Sequence, residues 1–286
     1  MRIERILVPT DFTSTADKAV EQAIVVARAT GAAIDLLHIA DDRTATRLRD
    51  AGLPADGLTA AMTAKAAAVR LETGIECGHI VREGSIFTSI AEVASEGGHQ
   101  LMVAGTHGVQ GIRQHLFGAD MLRILRQLPI GALVIQQGGE VSHGMGRLVL
   151  PVGSHAAYLN LVHITAALAK AFGAEVIIYS VDRPTLPMSE GMMANTRAAI
   201  EHFKAEGVAC RTVNEKPTVF SVGFAKQTLQ FAANEKADAI CIMSVSSEEH
   251  AFLAEPDKER IINNESGIPV LCGPGIEAWT NMVPRS

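Results

Sequence analysis

The residues best suited to chemistry lie in two short stretches of the first half of the chain. The longer is Ala104-Gly105-Thr106-His107-Gly108-Val109-Gln110-Gly111, which overlaps the apolar run LMVA. Glycines at intervals of three let the main chain bend freely and come close to a ligand. Gly118-Ala119-Asp120 then opens a helical pattern. The first N–H groups of a helix have no partner within it and can face an anion. A glycine loop running into a helix N-terminus is a physical basis for holding phosphate, and Arg113 and His115 add positive potential beside it. The shorter stretch is Val8-Pro9-Thr10-Asp11, where the first apolar run stops. From these residues alone a phosphate loop and a plain connecting loop both stay open. The loop is not a P-loop, because no Gly-Lys-Ser/Thr follows it. Nor is it the GxGxxG dinucleotide fingerprint, which would follow the first strand.

Other chemistry is poorly supplied. His107 and His115 are near each other in sequence, with His99 upstream, but a metal needs three or four convergent ligands and nothing here enforces convergence. No metal site is expected. His155 and His163 read as solvated or capping residues of the second half. There is no GxSxG elbow and no signalled Cys–His pair, so no catalytic residue is expected. Asp11 could serve as a general base or magnesium ligand; its structural alternative is to cap the first helix.

The elements that would position these residues form a repeat. RILVPTD at 5–11 is echoed by RLVLPVG at 147–153, and each is followed by a helical pattern, a glycine (Gly31, Gly173) and a second apolar run. Later parts match at shorter offsets, and each half ends in a short strand, GALVIQ and PVLCG. The joint is the polar, Gly-bearing QQGGEVSHGMG, as a linker should be. Domains are therefore expected over 1–138 and 146–276, with a tail over 277–286. In the first half, strands are expected near 4–9, 34–39, 75–81, 100–105 and 131–136, and helices near 15–30, 58–73, 86–97 and 119–128. Met188, Met192 and Met193 are expected in a loop of the second half. Alternating strands and helices imply βαβ units with right-handed crossovers. The expected fold is α/β: two tandem, doubly wound, five-stranded parallel-sheet domains of the Rossmann-like kind. Ligands of such sheets bind beyond the C-terminal strand ends at the topological switch point.

Composition agrees. The 286 residues carry a net charge of -6 with few aromatics, which argues against a general nucleic-acid or membrane-surface binder. No apolar run reaches the length of a membrane span. The opening MRIERILVPTDF runs straight into a strand pattern and reads as no signal peptide. The four cysteines, Cys77, Cys210, Cys241 and Cys272, form no CxxC pair and read as reduced thiols. A cytoplasmic location is expected.

With these residues in view, the first half resembles the universal stress protein family along nearly its full length. Nucleotide-binding members carry Gly, two residues, Gly, nine residues, Gly, then Ser or Thr. This sequence has Gly105 and Gly108, nine residues, then Gly118 and Ala119. VPTDF and the closing LRQLPIGALVI are similar to the family's first strand and final segment, with Gly131 where proline is usual. The resemblance implies an adenine nucleotide in the first half: Asp11, with the neighbouring Pro9 and Thr10 backbone, beside base or ribose; the Ile39 and Ala40 backbone against the base; Gly105, Thr106, His107, Gly108, Gly111, Gly118, Ala119 and Asp120 around the phosphates. It also implies pairing through the final strands.

Ala119 departs from the pattern, and the missing hydroxyl removes a hydrogen bond worth roughly 1.5–3 kcal/mol. Asp120 would repel phosphate, so AMP, ADP or another adenylate suits the site better than ATP. The second half has Ser244-Val245-Ser246-Ser247 in place of GTHG, then Glu248 and Glu249; Pro256-Asp257 replaces Gly118-Ala119, Gly153 replaces Asp11 and Pro217 replaces Gly84. Nucleotide is not expected there. The reading is a non-enzymatic stress or regulatory protein that binds ATP, ADP or AMP, with or without Mg2+, in its first domain. The second domain acts as a built-in dimer partner through the final strands. Whole chains could pair again, and an unidentified protein partner is implied; nucleic acid and membrane are not. The alternative is a nucleotide-independent scaffold of the same fold. A magnesium-dependent phosphotransferase or nucleotide-hydrolysing enzyme on the same fold ranks last.

Overall fold

A computed structural model of the chain describes residues 1–106, 118–141, 143–181, 188–216, 223–245 and 255–274. The first half runs β1 (Arg5–Pro9), α1 (Ser14–Thr30), β2 (Ala33–Ala40), α2 (Thr44–Asp50), α3 (Leu58–Thr73), β3 (Cys77–Glu83), α4 (Ile86–Glu96), β4 (Leu101–Thr106), α5 (Gly118–Gln127) and β5 (Gly131–Gln136). The second runs β6 (Arg147–Pro151), α6 (Tyr158–Phe172), β7 (Glu175–Val181), α7 (Glu190–Glu206), β8 (Cys210–Glu215), α8 (Phe224–Asn234), β9 (Ala239–Met243), α9 (Glu255–Ile262) and β10 (Val270–Gly273). Every strand expected in the first half is present; α2 was not expected. Met192 and Met193 lie in the first turn of α7, not in a loop, because Ser189 caps that helix through the Met192 N–H.

The two five-stranded sheets join into one ten-stranded sheet, in the order β3-β2-β1-β4-β5-β10-β9-β6-β7-β8. Within each half the pairs are parallel, and the strands nearest the centre read as continuous apolar runs, as strands covered on both faces must. Ile6, Leu7, Val8, Leu101, Met102 and Val103 are fully buried. The halves meet where β5 pairs antiparallel with β10, Leu133 opposite Leu271. The final strands thus pair within the chain, as their short apolar sequences imply. Helix α6 crosses onto β5 so closely that a Cβ on Gly131 would lie 2.7 Å from Ile164 Cγ1. The joint is tied back to α1 by Lys18 Nζ, which donates to the Gln137 and Gly139 carbonyls at 2.7 and 2.9 Å.

At the N-terminal strand ends, buried His99 reaches Asp35 (3.0 Å), which also accepts from Arg5 (2.5 Å). Burial pushes the Asp35 carboxyl up, but the His99 and Arg5 hydrogen bonds outweigh it and hold it low. His99 therefore belongs to a hydrogen-bonded cluster around Asp35, at the end of the sheet opposite Gly105. All four cysteines are free and lie on strands.

Candidate functional site

Strand order reverses between β1 and β4: β2 and β3 run outward on one side, β4 and β5 on the other. A cavity of about 460 Å3 opens beyond the C-terminal ends of β1, β2 and β4, at this switch point. That size falls within the range of small-molecule sites. Six of the expected residues line it: Pro9, Thr10, Asp11, Ile39, Gly105 and Asp120. Ala40 pairs with Glu83, and Thr106 is buried opposite Gln136; neither lines the cavity. Gly118 and Ala119 begin α5. His107, Gly108 and Gly111, together with Arg113 and His115, lie outside the described residues.

The turn after β1 aims Asp11 at the cavity. Phe12 adopts φ 64, which is uncommon for a bulky residue. Its strain is offset locally. Asp11 Oδ1 accepts from both the Thr13 N–H (3.1 Å) and the Thr13 hydroxyl (2.6 Å), and the Phe12 ring packs 5.2 Å from the His38 ring. Thr13, not Asp11, caps α1, accepting from the Ala16 N–H. Asp11 instead orients the cap. Its carboxylate, an acceptor when ionised, suits a hydroxyl or N–H donor better than an anion. Gly105 has a packing reason beyond any ligand: a Cβ there would lie 2.6 Å from the Thr15 carbonyl oxygen, so glycine lets α1 close on β4.

Sequence reasoning missed the wall formed by α2. Asp41 Oδ1 accepts from the Arg43 N–H (3.0 Å), while Thr44 Oγ1 accepts from the Asp41 N–H (2.9 Å). This reciprocal exchange is of the capping-box kind, and an Asp just ahead of a Thr-x-x-Arg was the available signal. Arg47 grips Asp41 with both ends of its guanidinium at 2.9 Å. Burial pushes the Asp41 carboxyl up, but the Arg47 fork prevails and holds it low. Arg43 and Arg47 both line the cavity. Buried His38 also lines it, between the Thr10 carbonyl oxygen (2.8 Å) and Thr44 Oγ1 (3.2 Å). The opposite wall is apolar, from Ile86, Phe87 and Ile90 of α4 with Met121 and Ile124 of α5. The cavity thus combines an apolar slot with the carboxylates of Asp11 and Asp120 in its lining.

At the corresponding strand ends of the second half, the described side chains differ. Ile6 pairs with Leu101 and Leu148 with Ala239, so the counterpart of Gly105 is Met243 and that of Thr106 is Ser244. The expected alignment of Ser244 with Gly105 is thereby corrected by one residue. The slip arose because small residues were matched to small residues, whereas strand register follows the apolar run. Tyr179, where the first half has Leu37, stacks on Phe231 with centroids 4.2 Å apart and donates to Glu215 at 2.9 Å. Asn195 of α7 closes over the end of β6, donating to the Gly153 and His155 carbonyls. His155 is buried, not solvated, and burial followed by the nearby Lys258 charge pushes it down to about 4. His163 packs against His202 of α7 at 4.5 Å. Pro217, Glu248 and Glu249 lie outside the described residues.

Among the described residues, no three or more His, Cys, Asp or Glu side chains are grouped to hold a metal ion, and no helix is long and apolar enough to cross a membrane. Residues 2–136 match the model of the Universal stress protein family. No curated protein matches the chain. Among solved structures, a universal stress protein from Archaeoglobus fulgidus is 16% identical, with a TM-score of 0.65 over 96% of this chain and 98% of its own. A putative universal stress protein from Pseudomonas aeruginosa is 19% identical, with a TM-score of 0.60 over 98% and 96%. The cytoplasmic domain of a prokaryotic cation chloride cotransporter is 10% identical, with a TM-score of 0.52 over 95% of each. At these identities the likeness is one of fold.

Proposed function

This chain belongs, through residues 2–136, to the universal stress protein family, and from that premise we propose that its first half binds one adenine nucleotide while its second half serves as a permanent dimer partner. The two units are the segments 1–138 and 146–276, and the protein acts by binding rather than by catalysis. The observation that carries the reading is the cavity at the switch point, lined by Asp11, Ile39, Gly105 and Asp120 at once. Its apolar walls would hold the base, Asp11 the ribose, and the main chain around Gly105 the first phosphate. Asp120 on that side favours AMP or ADP over ATP unless Mg2+ screens it, because like charges in a partly enclosed site repel strongly.

The test is nucleotide content after denaturation, then titration with AMP, ADP and ATP of the wild type and Gly108→Asp. About one equivalent per chain, lost in the variant, is the expected result. No bound nucleotide and no titration signal at millimolar concentration would sink the reading. The scaffold alternative, favoured by the altered residues of the second half, would then take its place.

A further inference from the structure

Phe87 brings an aromatic ring to the apolar wall of the cavity. It lies in the first turn of α4, where Ser85 caps the helix by accepting from the Phe87 N–H at 3.3 Å. Exposed Arg123 of α5 lies over this ring, with its guanidinium carbon 4.1 Å from the centroid. That distance is well within cation–π range. Among the described residues no ion pair or hydrogen bond of the Arg123 side chain competes with the contact, and no second ring meets Phe87. A planar ring has two faces. Arg123 takes one from the solvent side, and a ring that also lines the cavity turns the other inward. Neither partner recurs in the second half: at the offset that sets Met243 against Gly105, Ala225 and buried Ile261 stand in their places.

We propose that Phe87 is the platform on which the ligand's flat ring stacks, and that Arg123 is a positioning residue that holds the platform from behind. This rests on the nucleotide reading and adds to it the residue that selects the base. Two physical effects act together. Phe87 is only partly buried, so packing alone leaves its ring free to turn, and the Arg123 contact fixes it. The guanidinium also draws π density toward the outer face. The inner face is then less negative and better suited to an electron-rich ring stacked in an offset geometry. A purine, with the larger face, is favoured over a pyrimidine. Stacking reads the face of a base and not its hydrogen-bonding edge, so the platform selects the class of base and leaves the choice between purines to other residues.

The test is calorimetric titration of the full chain with AMP, adenosine and uridine. Phe87→Leu keeps an apolar side chain and removes the ring; it is expected to weaken AMP and adenosine about tenfold and to narrow the preference for adenosine over uridine. Phe87→Tyr keeps the ring and is expected to keep the affinity. Arg123→Ala is expected to weaken AMP and adenosine by the same factor, about two- to fivefold, and to add no further loss once Phe87 is replaced by Leu. Adenosine affinity unchanged in Phe87→Leu, or lost equally in Phe87→Tyr, overturns the platform while AMP binding by the wild type keeps the nucleotide reading. A loss in Arg123→Ala confined to AMP makes Arg123 a phosphate contact and overturns its positioning role. If Phe87→Leu fails to fold, the exposed Arg123→Ala decides through adenosine, whose unchanged affinity overturns the proposal. A wild type that binds neither AMP nor adenosine overturns the nucleotide reading and the platform together.

Discussion

The same strand ends hold a cavity in one half and, among the described residues of the other, a plug of buried side chains, and three substitutions mark the difference. Where β2 carries Leu37 on the cavity floor, β7 carries Tyr179, stacked on Phe231. Where Thr13 caps α1, His155 is buried beneath Asn195. Where Gly105 lets α1 close on β4, Met243 occupies β9; beside it Gly273 on β10 lets α6 close in, since a Cβ there would lie 2.7 Å from Leu161 Cβ, 3.0 Å from Leu161 Cα and 3.1 Å from the Met243 sulfur. The backbone scaffold tolerates either outcome. The side chains at the switch point decide whether the space takes a ligand or takes part in the core.

If Tyr179 is structural filling, removing it has the largest effect. Tyr179→Ala deletes a fully buried ring and is expected to cost about 3–5 kcal/mol, read as a lower urea midpoint, without creating nucleotide binding. AMP binding by the second half of this variant would show that the plug, and not the lost glycine loop, is what keeps nucleotide out.

His155 gives the next effect, through pH. Its folded value is pushed down to about 4, against an ordinary 6.5. The unfolded chain binds the proton first as pH falls, so stability is intact above pH 6.5 and declines between there and pH 4, by about 3 kcal/mol at most. His155→Thr, which installs the first half's residue, is expected to remove this slope from urea unfolding measured at pH 4–7. An equal slope in the variant would assign the acid sensitivity elsewhere.

What the sequence disclosed of this contrast follows physical lines. Strands and long helices were legible because their apolar periodicity is strong, and the junction of final strands followed from their short apolar runs. The plug was legible only as loss: Gly153 for Asp11 was visible, but nothing in YSV announces that Tyr179 will meet Phe231 across the fold. Helix α2 was missed because Leu48 is its sole buried apolar residue, so it has no stripe to read. Its stability lies in the Asp41–Thr44–Arg47 polar exchange, a local signal easily taken for a turn. At the cavity, the residues contributed by β1 and β4 were found by pattern and Ile39 of β2 through the family resemblance, whereas His38 and α2 entered only when the strand was placed beside its neighbours.

The converse exchange sharpens the comparison from the open side. Leu37→Tyr adds a ring to the cavity floor. Overpacking is expected to cost about 1–3 kcal/mol, and AMP affinity to fall at least about tenfold, or 1.4 kcal/mol. Unchanged affinity with a stable fold would place the nucleotide away from the floor of this cavity.

The smallest effect tests whether α6 of the second half packs tightly on β5 of the first. Gly131 on β5 faces Ile164 of α6, with a hypothetical Cβ 2.7 Å from Cγ1 and 3.5 Å from Cβ. The neighbour is side chain, not backbone, so it can give. Gly131→Ala also gains stability by restricting the unfolded chain, about 0.4–1 kcal/mol, which offsets part of the overpacking. The net loss is expected to be about 1 kcal/mol or less. A single urea curve barely resolves that, so the measurement is a double-mutant cycle with Ile164→Ala. Truncating Ile164 opens the space that the added methyl needs, and the double variant should be more stable than the sum of the single losses by about 1 kcal/mol, within the range of contacting residues. Strict additivity would mean that α6 does not press on β5 at Gly131, leaving the β5–β10 ladder, the Gln136–Ile262 and Ser244–Leu125 hydrogen bonds and the α1–α6 and α5–α9 contacts to hold the halves together.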